Sequence, residues 1–250
     1  MRARDSRPWA LRRPTPSPAG SELPSSASAL PTAAGLLRLA AAGSGRSYAL
    51  AKRAMDLILA SVVLVVSFPL LLLVTVLIRA TSPGPALFRQ TRIGKNGEPF
   101  LMLKFRTMRT GCDDAAHREY VQRLLSDTAE PQAGLYKLAD DRRITRVGRA
   151  LRKLSIDELP QLLNVLMGDM SLVGPRPALP FETVLFPEWA APRYLVAPGV
   201  TGLWQVSGRS RLTMLQGLKL DVEYVERRSL ALDLLILLRT VPAVVGTGAR

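Results

Sequence analysis

The stretch Leu57–Ile78, LILASVVLVVSFPLLLLVTVLI, runs for 22 residues without a charged side chain, and its reading decides how the rest of the chain is placed. Lys52, Arg53 and Asp56 precede it and Arg79 follows it. At 1.5 Å per residue, one straight helix of this length rises roughly 33 Å, enough to cross a hydrocarbon core of about 30 Å. Pro69 falls near the middle, where it removes a backbone hydrogen bond and crowds the preceding turn. The two arms beside it are each roughly 15 to 18 Å long, about half a bilayer. A kinked span and a re-entrant helix are both open on these grounds, because membrane helices tolerate proline when neighbours satisfy the freed backbone.

The charge pattern supports a membrane surface. The formal net charge is +14, but residues 1–110 hold 16 Lys/Arg against 4 Asp/Glu while residues 111–250 hold 18 against 16. A basic belt beside an apolar run is what anionic lipid head groups and the positive-inside bias favour. Nucleic acid is the weaker explanation, since no reading helix or basic zipper accompanies the charge. Anionic membrane lipids are therefore the expected surface partner. A single Cys112 and a single His117 exclude a disulfide framework and a Cys/His zinc site.

Residues 1–46 are rich in Ala, Pro, Ser and Arg with no sustained hydrophobic period, and read as a disordered basic tail. Leu36–Ala42 is too short for a signal peptide and is interrupted by Arg38, so the protein is expected to stay on the cytoplasmic side. The membrane helix is assigned to 47–82, the catalytic domain to 83–245 and a short tail to 246–250. The expected fold is mainly α with a short β-hairpin element: a Pro-broken membrane helix plus a small α/β-type domain with amphipathic interface helices.

After Ser82-Pro83-Gly84-Pro85, a turn signal, the stretch Ala86–Met108 mixes short β-prone pieces with basic residues and predicts the hairpin. Residues 111–130 are helix-prone, Ile144–Leu154 reads as a helix with a basic face, and Glu158–Met167 carries Leu159, Leu162, Leu163 and Leu166 at helical spacing. Ser229–Val245 is apolar but broken by Asp233, Arg239 and Pro242, which suits a helix lying at an interface or one buried in the core.

Ser155-Ile156-Asp157-Glu158 fits a capping box, in which both carboxylates merely start a helix. Pro160 argues for a start at Asp157 instead, because only near the first turn is its missing N–H harmless. A carboxylate at such an end stays ionised, and the free N–H groups beside it can hold an anion. Adjacent carboxylates on a helix point about 100° apart, so they cannot flank a glycosidic bond. One can attack phosphorus while the other holds Mg²⁺ or positions a proton.

Gly174-Pro175-Arg176-Pro177 holds an arginine on a stiff backbone, suited to presenting its fork to a phosphate, though a plain surface turn reads as well. Gly202-Leu203-Trp204-Gln205-Val206-Ser207-Gly208-Arg209 reads as a turn-strand-turn delivering Gln205 and Arg209 to one place, with Trp204 an alternative core anchor. No Walker-type loop and no G-x-G-x-x-G after a strand is present, so phosphate binding would fall to arginines and a helix end.

Taken together, six features resemble the bacterial sugar transferase family, the monotopic phosphoglycosyl transferases. They are Lys52-Arg53-x-x-Asp56, the Pro69-broken helix, Lys104-Phe105-Arg106-Thr107-Met108, Ser155 to Leu162, Gly174-Pro175-Arg176-Pro177 and Pro198-Gly199-Val200-Thr201-Gly202. The similarity runs from about Ala51 to about Val244, with the motifs in the family's order. It implies a re-entrant helix in the bacterial inner membrane, an active site facing the cytoplasm, Mg²⁺, and a ping-pong route. An aspartate first takes the sugar phosphate from a UDP-sugar with release of UMP, and undecaprenyl phosphate then accepts it, as the first membrane step of exopolysaccharide, capsule, O-antigen or glycoprotein glycan assembly.

Carried over, the family's Asp-Glu dyad is Asp157 and Glu158, which are also its metal ligands. The arginine of the Pro-Arg-Pro turn is Arg176, and Arg106 is a phosphate contact. Arg92, Lys104, Gln205 and Arg209 complete the candidate substrate- and phosphate-binding set. Glycosyltransferases of the same pathway are candidate partners. Some members have Ser-Pro at the helix break where this chain has Phe68-Pro69, with Ser67 one place earlier. Larger members carry spanning helices and a soluble domain upstream, so the chain looks like a minimal catalytic form. A non-catalytic membrane adaptor is the rival reading, and it predicts that Asp157 and Arg176 are freely replaceable.

Overall fold

The computed structural model describes residues 45–109, 143–208 and 212–245. The basic tail assigned to 1–46 lies outside these residues apart from Gly45 and Arg46, as do the helix expected over 111–130, the closing tail 246–250, and Arg209.

Helix α1 spans Arg46–Thr81, 36 residues, with Pro69 inside it. The break expected at Pro69 does not interrupt it: a single proline deletes one N–H, and helical pairing resumes beyond. Two residues earlier, the Ser67 hydroxyl donates to the Val63 carbonyl at 2.6 Å, a back-bond of the kind that bends helices.

The burial pattern along α1 has a helical period. Asp56, Ala60, Val74 and Ile78 are buried, and Leu64 and Leu71 are half-buried between them, so one narrow stripe meets the rest of the protein along the whole apolar run. Everything on the other side is uncovered. Val65, Val66 and Phe68 are 75 %, 76 % and 63 % exposed, and Ile58, Val62, Leu72, Leu73 and Val76 are exposed as well. Removing each such side chain from water is worth about 1.5 to 3 kcal/mol, so a face this large is the signature of a surface that meets something apolar. With a mean hydropathy of 3.0 in its most apolar window, α1 is long and apolar enough for a membrane segment.

A hairpin follows. Strands β1 (Leu87–Ile93) and β2 (Pro99–Phe105) pair antiparallel from Leu87↔Phe105 to Ile93↔Pro99. The tip, Lys95–Gly97, closes with Asn96 and Gly97 both at positive φ, the backbone a tight reversal demands. Helix α2 (Arg146–Lys153) starts at Thr145, whose hydroxyl accepts from Gly148 N–H, close to the predicted boundaries.

A 3₁₀ turn, Ile156–Glu158, then leads through Pro160 into α3 (Gln161–Met167). Asn164 of α3 is fully buried. Its amide donates to Leu101 O and its side-chain oxygen accepts from Leu103 N–H, occupying the edge of β2 as another strand would.

Strand β3 (Ser171–Val173) pairs in parallel with β4 (Gly199–Thr201), a second small sheet beyond the expected hairpin. Between them lie the short helix α4 (Pro180–Thr183) and the 3₁₀ segment Glu188–Leu195. After β4 the chain forms a helical turn, α5 (Leu203–Val206), not the strand expected there, because Trp204 turns into a core with Met214 and Leu218. Helices α6 (Met214–Arg227) and α7 (Leu230–Val245) complete the described fold. In α7, Asp233 and Ile236 are buried while Leu234, Leu235, Leu238 and Val241 are exposed, so the segment is half core and half apolar surface.

Three apolar clusters organise the whole. The main one joins Ala60 to Met102, Val165, Tyr224 and Ile236, and a second joins Val74 and Ile78 to Ala86, Phe105 and Leu151. The two halves of α1 are thus packed on one and the same domain. The third surrounds Trp204.

Candidate active site

The N-terminal half of α1 is tied down by charge. Arg53 donates from both ends of its guanidinium to the carbonyls of Val165 (2.6 Å) and Leu166 (3.0 Å). Both carbonyls lie in the last turn of α3, at its negative end, where Val165 O also accepts from Gly168 N–H, so the arginine complements the helix dipole. Asp56 accepts from the Ser171 hydroxyl (2.7 Å) and Leu172 N–H (3.2 Å), fixing β3. Lys52 bridges Asp56 at 3.0 Å and Asp233 at 3.7 Å. Asp233 also accepts from Tyr224 at 2.7 Å, and burial, partly offset by Lys52, pushes its carboxyl above the usual range. The Lys52-Arg53-x-x-Asp56 motif is therefore an anchor for the apolar helix.

The other end of α1 borders the dyad. Ile156 of the 3₁₀ turn packs on the cluster that holds Val74, Ile78 and Phe105. Ser155 enters that turn at φ 55° and makes no capping bond, so the capping box does not form. The α-helix begins at Gln161 with Pro160 as its N-cap residue, which corrects the start expected at Asp157. The reason is steric: Pro160 at φ −60° donates nothing, and the preceding pairs, such as Leu159 N to Ile156 O, close at 3₁₀ spacing instead.

Asp157 is 9 % exposed in this turn, and Glu158, half-buried, pairs with Lys104 of β2 at 3.1 Å. Arg106, just past β2, is buried at the same end. One of its terminal nitrogens donates to the Ser82 carbonyl (2.7 Å) and hydroxyl (3.1 Å), holding the exit of α1, while Nε and Nη1 meet no hydrogen-bond partner among the described residues. Buried donors of this kind are rare and costly unless something outside the chain fills them.

Arg92, Arg176 and Gln205 form a second group. Along β2, the position opposite Arg92 and Lys104 itself are four residues, about 13 Å, apart. Glu182 is buried between Arg176 (3.7 Å) and Arg92 (3.9 Å) and accepts from Leu179 N–H at 2.7 Å. Arg92 also donates to Pro177 O at 3.0 Å, so it clasps the Pro-Arg-Pro turn. Arg176 keeps 29 % of its side chain exposed and lies 6.0 Å from the Trp204 ring centroid. The Gln205 side-chain oxygen is buried near Gly202.

Two residues absent from the sequence reading hold this turn. Arg193 donates to Arg176 O (2.6 Å) and to Asp221 (2.8 Å), and both partners of that ion pair are buried. Burial pushes the Asp221 carboxyl up to about 6, with Arg193 pulling the other way. Burial is the largest single influence on Arg193 and lowers its pKa, but the charge and hydrogen bonds of Asp221 and Tyr194 together outweigh it and the net direction is up. The turn also locks to the Pro198–Gly202 motif: Gly174 N–H donates to Thr201 O (3.0 Å) and Gly199 N–H to Pro175 O (2.8 Å). A Cβ on Gly199 would lie 2.2 Å from Gly174 N, so only glycine allows this approach.

An apolar helix anchored on the domain, a carboxylate dyad at its far end and a braced arginine turn make up the candidate site. The bacterial sugar transferase model matches residues 47–247, and the chain belongs to that family. It is 44 % identical over 196 residues to exopolysaccharide production protein ExoY of Rhizobium meliloti, covering 78 % of this chain and 85 % of that one. It is 47 % identical over 207 residues (79 % and 71 %) to the UDP-glucose:undecaprenyl-phosphate glucose-1-phosphate transferase of Caulobacter vibrioides. It is also 37 % identical over 212 residues to the undecaprenyl-phosphate galactose phosphotransferase of Salmonella typhimurium, covering 84 % of this chain and 43 % of that one.

Proposed function

We propose that this protein transfers a sugar 1-phosphate from a UDP-sugar to undecaprenyl phosphate through a covalent intermediate on Asp157. The observation that carries this reading is the placement of the dyad. The Asp157 turn packs against the end of the apolar helix, with Lys104 on Glu158 and the two unfilled donors of Arg106 at the same end.

In the first half-reaction a carboxylate oxygen of Asp157 attacks the phosphorus that bears the sugar. An O–P bond forms, the bond to the bridging oxygen breaks, and UMP leaves with that electron pair. In the second, an oxygen of undecaprenyl phosphate attacks the same phosphorus and Asp157 departs as a carboxylate, leaving an undecaprenyl diphosphate sugar. Arg106 and Arg176 supply positive charge for the phosphoryl oxygens.

The residues present suit Mg²⁺. Two adjacent carboxylates are offered, and among the described residues no cluster of three or more His, Cys, Asp or Glu gathers. Mg²⁺ is commonly held by one or two carboxylates together with substrate phosphates and water, whereas a structural zinc site needs four protein ligands. Bound by Asp157 and Glu158, it would neutralise charge on the donor diphosphate. Glu158 and Lys104, a quarter exposed, are open to water for proton exchange.

The placement of α1 supports entry from a single leaflet. A lone span would put the segments around Asp56 and Ile78 on opposite sides of about 30 Å of hydrocarbon, yet both pack on one domain. The exposed faces of α1 and α7 would then share the membrane, with the domain in the cytoplasm. With Cys112 replaced by Ser, a cysteine introduced at position 30 should resist an impermeant reagent outside intact cells; labelling would mean a spanning helix. The chemistry is tested by UMP release from a panel of UDP-sugars in membranes carrying the protein, with undecaprenyl phosphate added. Release should vanish in Asp157→Asn, and full activity of that variant would move the nucleophile elsewhere.

A further inference from the structure

A cleft of about 290 Å³ opens between the N-terminal half of α1 and the domain. It is not the dyad site. Neither Asp157 and Glu158 nor Lys104 and Arg106 line it, whereas Gly168, past the far end of α3 from the dyad, does.

The lining is strongly positive. Lys52, Arg53, Lys95 and Arg228 contribute four cations against the single carboxylate of Asp56. Asp233 behind Lys52 offsets one more. Arg53 is committed to the Val165 and Leu166 carbonyls, but its charge remains beside the cleft. Lys95, at the hairpin tip, is exposed and forms no ion pair among the described residues.

Position narrows the ligand further. Lys52 and Arg53 stand about one helical turn before the charge-free run begins at Leu57, and Arg228 stands two residues before α7. The cleft therefore lies at the foot of the two elements whose outer faces are apolar, Ile58 and Val62 on one and Leu234 and Leu238 on the other. A membrane that takes up those faces brings its head-group layer to this level. Basic clefts at the foot of membrane elements are where anionic head groups are held.

We propose that this cleft binds the phosphate head group of an anionic membrane phospholipid, distinct from the lipid phosphate that reacts at Asp157. This rests on the reading that the exposed apolar faces of α1 and α7 lie in the membrane. A phospholipid held there would fasten the foot of α1 to the bilayer and set the depth of the dyad.

The test uses the full chain, delipidated in detergent and offered phosphatidylglycerol, phosphatidylcholine, undecaprenyl phosphate or inorganic phosphate, with bound lipid counted by native mass spectrometry. Phosphatidylglycerol should be retained over phosphatidylcholine, and Lys95→Gln should weaken its retention about five-fold, the effect of one surface cation near a head group. Lys95 is exposed, so an unchanged melting temperature is expected for that variant. Asp157→Asn should retain phosphatidylglycerol like the unaltered protein while losing UMP release, which separates this inference from the proposed reaction. Equal retention of phosphatidylcholine, or no change in Lys95→Gln, would overturn it. So would displacement by undecaprenyl phosphate at equal concentration, which would make the cleft an acceptor site. Competition by inorganic phosphate alone would reduce it to a simple anion site and overturn it too.

Discussion

Two ion pairs of similar length do opposite work in this protein. Lys104 and Glu158 meet at 3.1 Å with 25 % and 28 % of their side chains exposed, while Arg193 and Asp221 meet at 2.8 Å with 2 % and 1 %. The first pair can exchange partners with water, metal or substrate at little cost, since exposed pairs are worth about 0 to 1 kcal/mol. The second cannot open without leaving a bare charge in the interior. In the proposed reaction the reacting groups come from the accessible pair's surroundings, and the buried pair fixes the backbone of Arg176 from behind.

The largest effect that would sharpen this contrast is on the dyad. With Asp157 as the proposed nucleophile, Asp157→Asn should lower turnover on the order of a thousand-fold or more while the protein stays folded. Kinetics and a melting curve on one preparation check both halves. Next, Arg193→Met should cost about 3 to 5 kcal/mol of stability by stranding Asp221, lowering the apparent melting temperature by roughly 10 °C. Stability unchanged within about 1 kcal/mol would erase the distinction between the pairs. Lys104→Gln should do the reverse, reducing turnover roughly ten-fold with stability shifted by less than about 1 kcal/mol.

The smallest effect is on the pH profile. The Asp221 carboxyl, raised from 3.8 to about 6, carries its charge above that pH and loses it below. The Arg176 turn should loosen as Arg193 loses its partner, giving turnover a limb near pH 6 that Asp221→Asn abolishes. Because the folded protein holds this proton more tightly than the unfolded chain does, acidification through the window from 6 toward 3.8 favours folding as far as this group is concerned. The limb therefore reports on the site, and a circular dichroism signal constant across it would separate it from unfolding.

Local signals made much of the architecture legible. The uncharged run at Leu57–Ile78, the hairpin over Ala86–Met108 and the helix near Arg146–Lys153 depend on composition, turn residues and caps that act within a few positions. The braces were hidden. Glu182, Arg193 and Asp221 carry no motif in the chain, and Arg193 and Asp221 are 28 residues apart, so only folding reveals that they meet. A charge on the apolar face of a helical period, Asp221 three residues after Leu218 and four before Val225, was the one signal that could have drawn attention to them. The strand expected through Trp204 failed because the ring's packing against Met214 and Leu218 overrides local preference.

The run Leu57–Ile78 shows where the division falls. Sequence alone determined that this segment is helical, apolar and flanked by charge, since hydropathy and the rise per residue are local properties. It left open whether the helix passes through a bilayer alone or stays on one side. The tertiary structure added that Arg53 and Asp56 hold one half, and the Val74 and Ile78 contacts the other, on a single domain. Contacts between residues this far apart in the chain depend on where the other elements pack, which no local pattern records.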